Sequence, residues 1–530
     1  MWRFERACHP GRVGIFDRFR RWTLSGVERP WGNEPSIYRA VQRSIDPATG
    51  MLRTGSTELP DSPEPDPNAV AWAPGALDGV LGHHAPGEDE EVRARQLHAS
   101  LERLLAAPSP AHFRKFYELS SDVTSLGALD RLTDLVRSDG SLSPERVHAL
   151  GSLLAREAPR RGAVKFGLAL LGTIVGAEDD QLLLELGAHE EFTLFAAVAL
   201  LNQGRGDEVL YALARRVDGW GRIQVVERLA TTKNPEIQGW LLREGFRNTV
   251  MDEYLAHTCA VAGALHIALQ APQVDRPLLR GAAGILTALA NGGPAEDLAD
   301  YEHAELAITG FVEQLERNPL DLELLSALDA LTARDEVSPE LKRRLATLRD
   351  GPSVAGLIEA GLTAKDPSEF WRADQAARAR GIDTFAHHER RVLAGELDVS
   401  LFSLLQAATP HTIARALSAT RTQLPLERVT SGAADGLGFG PEFVHHTHLD
   451  FVLQVLPRFP GHGVDFLQAA LKSPVIRNRS GAVRVLASWT PKRWTPELTQ
   501  SLARAVAVEP DDDVRERMAR VQTGGAYEED

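Results

Sequence analysis

The sequence contains very little cysteine: 2 residues, Cys8 and Cys259, in a chain of 530. Two thiols so far apart in sequence indicate neither a disulfide framework nor a cysteine-ligated metal site, and they fit a reducing cytoplasm. Aromatic residues are also scarce, at 6% of the chain, whereas alanine and leucine are abundant. This composition favours closely packed helices over β-sheets.

Long apolar runs are missing as well. The most apolar stretch, from Phe166 to Ala177, is about twelve residues long, whereas a helix that crosses a bilayer needs roughly 18 to 20. The N-terminus carries several arginines but lacks the apolar core of a signal peptide. We therefore predict no membrane span and no secretion signal.

An excess of positive charge is absent, because 58 lysine and arginine residues face 73 aspartate and glutamate residues, for a net charge of −15. Such a chain repels polyphosphate at long range, so we do not expect a general nucleic-acid partner. The sequence has no Walker A loop, His-Glu-x-x-His, Cys-x-x-Cys or Gly-x-Ser-x-Gly motif. The glycine cluster from Gly436 to Gly440 follows no predicted strand, and we interpret it as a connection. We predict no cofactor.

What the sequence does contain is a repeated helix-start signature: a small polar residue, then proline, then often glutamate. The polar side chain accepts a hydrogen bond from the first helical turn, proline fits the first position, and glutamate faces the positive end of the helix dipole. Leucine- and alanine-rich stretches of about ten to twenty residues lie between these starts, which predicts a stack of short helices. The signature begins at Ser143, Asn234, Ser338 and Thr495, and looser forms begin at Asn318, Asp366, Thr409 and Ser473.

Composition divides the chain into four segments. Residues 1–45 form a basic segment with interleaved aromatics, and residues 46–91 are acidic and rich in proline and glycine, as in a linker or a strap. Helical periodicity dominates residues 92–523. Residues 524–530 form a short acidic tail that we expect to be disordered.

The C-terminal part resembles HEAT-type repeats. The stretch from Ser473 to Leu486, SPVIRNRSGAVRVL, combines a turn proline, an aliphatic ladder and spaced arginines, and the sequence DDVR from Asp512 resembles the start of another such helix. The interval from Ser473 to Asp511 is about 38 residues, close to the roughly 40-residue unit of HEAT and armadillo repeats. The resemblance implies an all-α fold, an α-solenoid of irregular HEAT-like antiparallel helix pairs.

Solenoids of that family commonly hold a protein, a peptide or a nucleic acid on their curved inner surface. The leading hypothesis is therefore a cytoplasmic interaction scaffold that holds a protein or peptide partner, and the sequence gives no evident sign of catalytic activity. A second stretch, GWGRIQVVERL from Gly219 followed by WLLREGFRN from Trp240, is similar to bacterial helical-repeat proteins labelled limonene hydroxylase. A hydroxylase of that kind requires heme or flavin chemistry, and the chain has neither a cysteine heme-ligand loop nor a dinucleotide fingerprint.

The block around Trp220 supplies the candidate partner-binding surface. On a helix from Gly221 to Thr231, polar side chains recur at i, i+3, i+4 and i+7. Aromatic and guanidinium groups are the types enriched at interface hot spots. The alternative interpretation is intramolecular, with the arginines paired to neighbouring glutamates and the tryptophans in the core. The predicted partner-binding residues are Trp220, Gln224, Glu227, Arg228, Arg243, Arg247, Asn248 and Tyr254.

Two further functions remain as alternatives. A metal-assisted hydrolase or oxygenase would use imidazole and carboxylate ligands, which suit zinc or iron, although adjacent histidines on a helix point about 100° apart. A HEAT-type nucleic-acid-binding or DNA repair protein would use a row of arginines, which otherwise link adjacent helices. The metal candidates are His387, His388, Glu389, His445, His446, His448 and Asp450. The nucleic-acid candidates are Arg477, Arg479, Arg484 and Arg493.

Overall fold

A computed structural model describes residues 27–62, 73–76, 88–122, 126–489 and 491–527. The regular secondary structure of these residues is helical. They contain no β-strand, only isolated bridges from Ile45 to Leu52 and from Gly436 to Val475. The all-α prediction is confirmed. The described residues divide into two compact units. The N-terminal unit ends at Asp350, and the C-terminal unit begins at Gly351.

The N-terminal unit contains seventeen helices in the described ranges, joined by short turns. A π-helical turn, Leu241–Gly245, directly follows the eleventh. The helices are α1 (Ile37–Ser44), α2 (Glu88–Ala106), α3 (Pro110–Ser121), α4 (Leu126–Ser138), α5 (Pro144–Glu157), α6 (Arg161–Leu171), α7 (Asp180–Gly187), α8 (Glu190–Asn202), α9 (Asp207–Ala214), α10 (Gly219–Glu227), α11 (Pro235–Trp240), α12 (Glu253–Ala262), α13 (Leu265–Ala268), α14 (Arg276–Asn291), α15 (Ala304–Leu315), α16 (Leu322–Thr332) and α17 (Pro339–Arg349).

The C-terminal unit contains ten further helices in its described part, together with short 3₁₀ turns. They are α18 (Val354–Leu362), α19 (Pro367–Ala379), α20 (Phe385–Leu393), α21 (Asp398–Gln406), α22 (Ile413–Gln423), α23 (Val444–Val455), α24 (Val464–Ala470), α25 (Ile476–Trp489), α26 (Pro496–Val508) and α27 (Asp512–Gln522).

The helix-start signature marks real helix starts. Ser143, Asn234, Ser338 and Thr495 each accept a hydrogen bond from a backbone N–H of the first turn, and proline occupies the first position of all four helices. Among the looser forms, Asp366 caps α19 in the same way. The forms at Asn318 and Thr409 precede their helices by a few residues, because the N-caps there are Asp321 and Thr412.

Helices pack mainly on helices that are close in sequence. In the N-terminal unit, α6, α8, α10, α12, α14 and α16 form a row in which each contacts the next. In the C-terminal unit, α21, α23, α25 and α27 form a similar row. Buried leucine, alanine, valine and phenylalanine side chains fill the interior of each unit. None of the helices in the described ranges has the length and hydropathy needed to cross a bilayer.

The predicted N-terminal basic segment and strap are placed only in part. Residues 1–26, with most of the arginines, lie outside the described ranges, whereas Trp31 packs against Phe113 and Tyr117 with ring centroids 5.5 and 5.0 Å apart. Of the strap, Asp61 accepts hydrogen bonds from the backbone N–H and the guanidinium of Arg161. These contacts attach the described parts of both segments to the N-terminal unit.

Both cysteines were interpreted as isolated thiols. Cys259 lies in α12, where it is fully buried, and this burial raises the pKa of its thiol. Cys8 lies outside the described residues. Ala264, with a positive φ of 51°, separates α12 from α13.

Candidate functional site: an arginine-lined cleft

The candidate site is an open cleft in the C-terminal unit with a volume of about 520 Å³. One wall is α25, another is the glycine-rich loop before α23, and the third is formed by α27 and the segment after it. The lining residues, called the arginine cleft below, are Leu437, Phe439, Ile476, Arg477, Ser480, Arg484, Arg517 and Tyr527.

Helical phase places the polar residues of α25 in the cleft. Arg477, Ser480 and Arg484 occur at i, i+3 and i+7, so they share one face of the helix. The opposite face buries Ala482, Val483 and Leu486. Arg477 and Arg484 are among the arginines that the sequence predicts as nucleic-acid candidates.

Arg477 is held in position from two sides. Its Nη1 donates to the carbonyl oxygens of Leu437 and Gly438, both at 2.8 Å, and its Nε donates to Asp450. Gly438 has a φ of +75°, and a Cβ there would lie 2.7 Å from Val475 and 2.9 Å from the Arg477 guanidinium. Only glycine therefore lets the loop approach closely enough to form this wall of the cleft.

The other two arginines surround an aromatic ring. The guanidinium carbon of Arg484 lies 5.4 Å from the ring centroid of Tyr527, which is within the range of a cation–π contact. Arg517 Nη1 lies 3.5 Å from the Tyr527 hydroxyl oxygen. Gly524 to Tyr527, in the predicted disordered tail, are thus placed, whereas residues 528–530 lie outside the described ranges.

The cleft has the chemistry of an anion site with an apolar rim. Three guanidinium groups line it, and among the described residues no carboxylate belongs to the lining set, although Asp450 contacts Arg477 from outside that set. Burial raises the pKa of Asp450, an effect that its hydrogen bond with Arg477 partly offsets. Leu437 and Phe439 are exposed at the rim, by 40% and 49%. Paired guanidinium groups recognise carboxylate or phosphate oxygens.

The predicted row of nucleic-acid-binding arginines does not form as a unit. Arg479 is 0% exposed, and its Nε and Nη2 donate to the two carboxylate oxygens of Glu509 at 2.7 and 2.6 Å. Its Nη1 also donates to the carbonyl oxygens of Ala434 and Ser473. Arg493 is exposed but does not line the cleft. Arg479 is therefore unavailable to a partner, because it faces the core side of α25.

The histidines of α20 have separate partners. His388 is fully buried, and its Nε2 lies 2.8 Å from Asp374 Oδ1. His387 Nδ1 lies 3.1 Å from the carbonyl oxygen of Leu362, whereas Glu389 pairs with Arg415. The adjacent side chains point in different directions, as expected for consecutive helical residues.

The histidines of α23 form a hydrogen-bond network rather than a ligand set. His446 Nδ1 lies 3.0 Å from Ser473 Oγ and 2.9 Å from Asn478 Oδ1, and Asn478 also donates to Asp450. Burial lowers the pKa of His446. The rings of His445 and His448 are 6.3 Å apart. Within the described residues, neither histidine cluster supplies three ligand atoms that could hold a metal ion.

The Trp220 surface, defined as the eight predicted partner-binding residues, is largely engaged within the N-terminal unit. Arg243 Nη2 donates to Asp275 Oδ2 at 2.7 Å, and Arg247 pairs with Glu323. Asn248 Oδ1 accepts from the backbone N–H groups of Val250 and Met251. These contacts fit the intramolecular interpretation.

Helix α10 is more buried than its polar stripe predicts. Gln224 is 6% exposed, and within the described residues neither its amide nitrogen nor its amide oxygen has a hydrogen-bond partner. Arg228 directly follows the last residue of α10, and its Nη1 donates to the Gln224 carbonyl oxygen. Burial lowers the pKa of Arg228. Glu227 is exposed. The difference arises because both α8 and α12 contact α10. Together they cover more of the α10 surface than the single buried face of an amphipathic helix.

The start of α10 is linked to α8 by a titratable carboxyl group. Glu190 Oε2 accepts from the backbone N–H of Trp220 at 3.0 Å, and the Trp220 ring packs 5.2 Å from that of Tyr254. Burial raises the pKa of Glu190 to about 7, against the lowering effect of this hydrogen bond. The carboxyl group therefore titrates near neutral pH.

Sequence reasoning missed six residues of the cleft: Leu437, Phe439, Ile476, Ser480, Arg517 and Tyr527. Ser480 could have been found from the i+3 spacing after Arg477. The glycine cluster around Phe439 indicated close backbone approach, but nothing local indicated what it approaches. Arg517 and Tyr527 come from the chain end, and only the packing of α27 on α25 brings them to the cleft.

Comparisons with known proteins do not identify a family. No protein-family model matches the chain, and no curated protein matches it either. Among solved structures, the chain is similar to the crystal structure of an engineered protein at 16% identity, with 81% of this chain and 98% of that chain covered. The TM-score of this match is 0.22, too low to support a shared fold.

Proposed function

We propose that the protein is a cytoplasmic, non-catalytic interaction scaffold that holds an acidic peptide segment of a protein partner in the arginine cleft. The observation that carries this proposal is the set of three arginines around one cavity of about 520 Å³ with an exposed aromatic rim. That volume suits a few side chains of an extended peptide.

The chemistry of the cleft favours carboxylates next to apolar side chains. Arg484 is exposed and lies over the ring of Tyr527, a contact that restricts the motion of its guanidinium group. Preorganised guanidinium groups lose less side-chain entropy on binding than free ones. Phe439 and Leu437 offer contact area to an apolar neighbour of the carboxylate. The local positive charge contrasts with the net charge of −15 of the whole chain.

Fluorescence anisotropy tests the proposal. The probe is a fluorescein-labelled peptide of alternating glutamate and leucine, and the matched control peptide carries glutamine for glutamate. We expect saturable binding of the acidic peptide only, weakened at least about tenfold by Arg484→Ala, equivalent to roughly 1.4 kcal/mol. Phe439→Ala weakens it to a smaller extent.

Arg493→Ala is the control variant, because Arg493 is exposed and lies outside the cleft. Equal binding of both peptides, or equal loss in the Arg484 and Arg493 variants, would overturn the proposal. Tighter binding of a single-stranded oligonucleotide of the same charge would favour the nucleic-acid alternative, with steep salt dependence.

We also propose that the helix pairs form an α-solenoid of irregular HEAT-like repeats. The support is the pair of rows in which every second helix packs on the next. In a repeat stack each unit contacts only its neighbours, so opening is local and graded. Native-state hydrogen exchange should show protection that falls from the middle helices toward α27. Uniform, all-or-none exchange within a unit would contradict the proposal.

A further inference from the structure

Three metal-ligating side chains meet in the N-terminal unit, away from any residue that the sequence singles out. His98 and Glu102 lie four residues apart on α2, and Asp139 follows the end of α4. Residues at i and i+4 share a helix face, and α2 packs on α4. Each of the three offers one ligand atom, and these atoms all lie within 4.8 Å of one another.

Asp139 is positioned by its own turn. The backbone N–H of Ser141 donates to Asp139 Oδ1 at 2.8 Å, which leaves Oδ2 directed toward His98. A preoriented carboxylate is a hard oxygen ligand that needs no rearrangement to accept a cation.

The contact between His98 and Asp139 does not have hydrogen-bond geometry. His98 Nε2 lies 3.2 Å from Asp139 Oδ2, yet this enclosed nitrogen has no hydrogen-bond partner in the described part of the chain. Two ligand atoms 3.2 Å apart, each about 2.0 to 2.1 Å from one ion, subtend an angle of about 100°, between octahedral and tetrahedral values. The separation therefore suits two neighbouring ligands of one metal ion.

Glu102 completes the set. Its Oε2 lies 3.7 Å from His98 Nδ1, its side chain is 44% exposed, and its ligand atom lies within 4.8 Å of those of the other two residues. One imidazole and two carboxylates suit zinc, manganese or ferrous iron, and three protein ligands leave at least one position for water.

We propose that His98, Glu102 and Asp139 bind one divalent transition-metal ion that joins α2 to the end of α4. The ion replaces the contacts of one imidazole with two carboxylates by three direct bonds. Binding of the ion stabilises the N-terminal unit, and tighter binding stabilises it more, because the three ligands converge only in the folded chain. The site is independent of the arginine cleft, which belongs to the other unit.

Isothermal titration of the full-length chain without a histidine tag, using zinc chloride, tests this site. We expect one ion per chain, binding weakened at least about tenfold by His98→Ala and by Asp139→Asn, and a higher unfolding temperature with zinc. Cobalt(II) provides a spectroscopic readout, since visible d–d absorption should appear with wild type and vanish with His98→Ala.

His411→Ala is the matched control, because His411 is exposed on the C-terminal unit; it should bind zinc and cobalt like wild type. Circular dichroism establishes that each variant is folded, and His98→Gln serves if His98→Ala is not. Absence of zinc binding up to 1 mM, a strength of order 4 kcal/mol, would overturn the proposal. Unchanged affinity and cobalt absorption in both folded site variants would overturn it equally.

Discussion

The Trp220 surface of the N-terminal unit and the arginine cleft of the C-terminal unit each contain three arginines and aromatic rings, but they use their arginines differently. At the Trp220 surface, Arg243 and Arg247 are paired to Asp275 and Glu323 within the unit. In the C-terminal unit, one helix carries both a fully buried arginine, Arg479, and an exposed cleft arginine. Residue type alone therefore does not identify a binding surface. Helical phase and the position of the nearest carboxylate decide it.

The largest expected effect comes from breaking the buried arginine pair. Arg479→Ala leaves Glu509 1% exposed and without its cation, which should cost about 3 to 5 kcal/mol of unfolding free energy. Arg484→Ala on the same helix should cost less than about 0.5 kcal/mol. Urea unfolding, followed by tryptophan fluorescence, measures the unfolding free energy of both variants. Equal costs would show that the two arginines are not divided by helical phase.

The second effect concerns Glu190 at the start of α10. The pKa of this carboxyl group is raised to about 7 in the folded chain. Its contribution to the free energy of unfolding is therefore complete below its unfolded pKa and is lost as pH rises through 7. Glu190→Gln should therefore gain up to about 3 kcal/mol relative to wild type at pH 8, less any solvent screening. The gain should vanish at pH 4.5. Thermal unfolding across this pH range provides the measurement, and a gain independent of pH would contradict it.

His446 should show the opposite pH dependence in the C-terminal unit. Burial lowers the pKa of His446 in the folded chain, so its contribution is complete above the unfolded pKa, near 6.5, and is lost as pH falls toward the folded value. His446→Gln should cost about 1 kcal/mol at pH 7.5, and the cost should shrink below pH 6. His462→Gln is a control outside the network. A cost that grows in acid would refute the neutral, hydrogen-bonded state of His446.

The smallest effect is expected at the Trp220 surface. Arg243 and Asp275 are 31% and 52% exposed, and exposed pairs contribute about 0 to 1 kcal/mol. Arg243→Ala should therefore leave the unfolding midpoint nearly unchanged. If Arg243→Ala instead weakens capture of a native partner while folding is unchanged, the Trp220 surface is a binding surface too, and the contrast with the cleft disappears.

Local sequence signals predicted the helices well and the site only in part. Proline and its capping residue act within one turn, so the starts at Ser143, Ser338 and Thr495 could be found from sequence. Of the four arginines predicted as nucleic-acid candidates, Arg477 and Arg484 line the cleft. Tertiary packing decided the rest: Gln224 was predicted on a polar stripe but is covered by neighbouring helices.

The long-range contacts of the cleft had no local signal. Tyr527 reaches Arg484 across more than forty positions of sequence, a pairing that no periodicity encodes. Likewise, Arg479 differs from Arg477 only by its direction from the helix, and its partner Glu509 comes from the end of the next helix. His98 and Asp139 are also far apart in sequence, so no local pattern indicates that their side chains lie close together.

The enclosed thiol of Cys259 makes the N-terminal unit report on its own openings. A sulfur that is fully buried and kept protonated by burial reacts with alkylating reagents only while α12 is detached. With Cys8 replaced by serine, the labelling rate of Cys259 measures how often α12 detaches under native conditions. Any partner or ion that stabilises the unit must then lower this labelling rate, whatever surface it occupies.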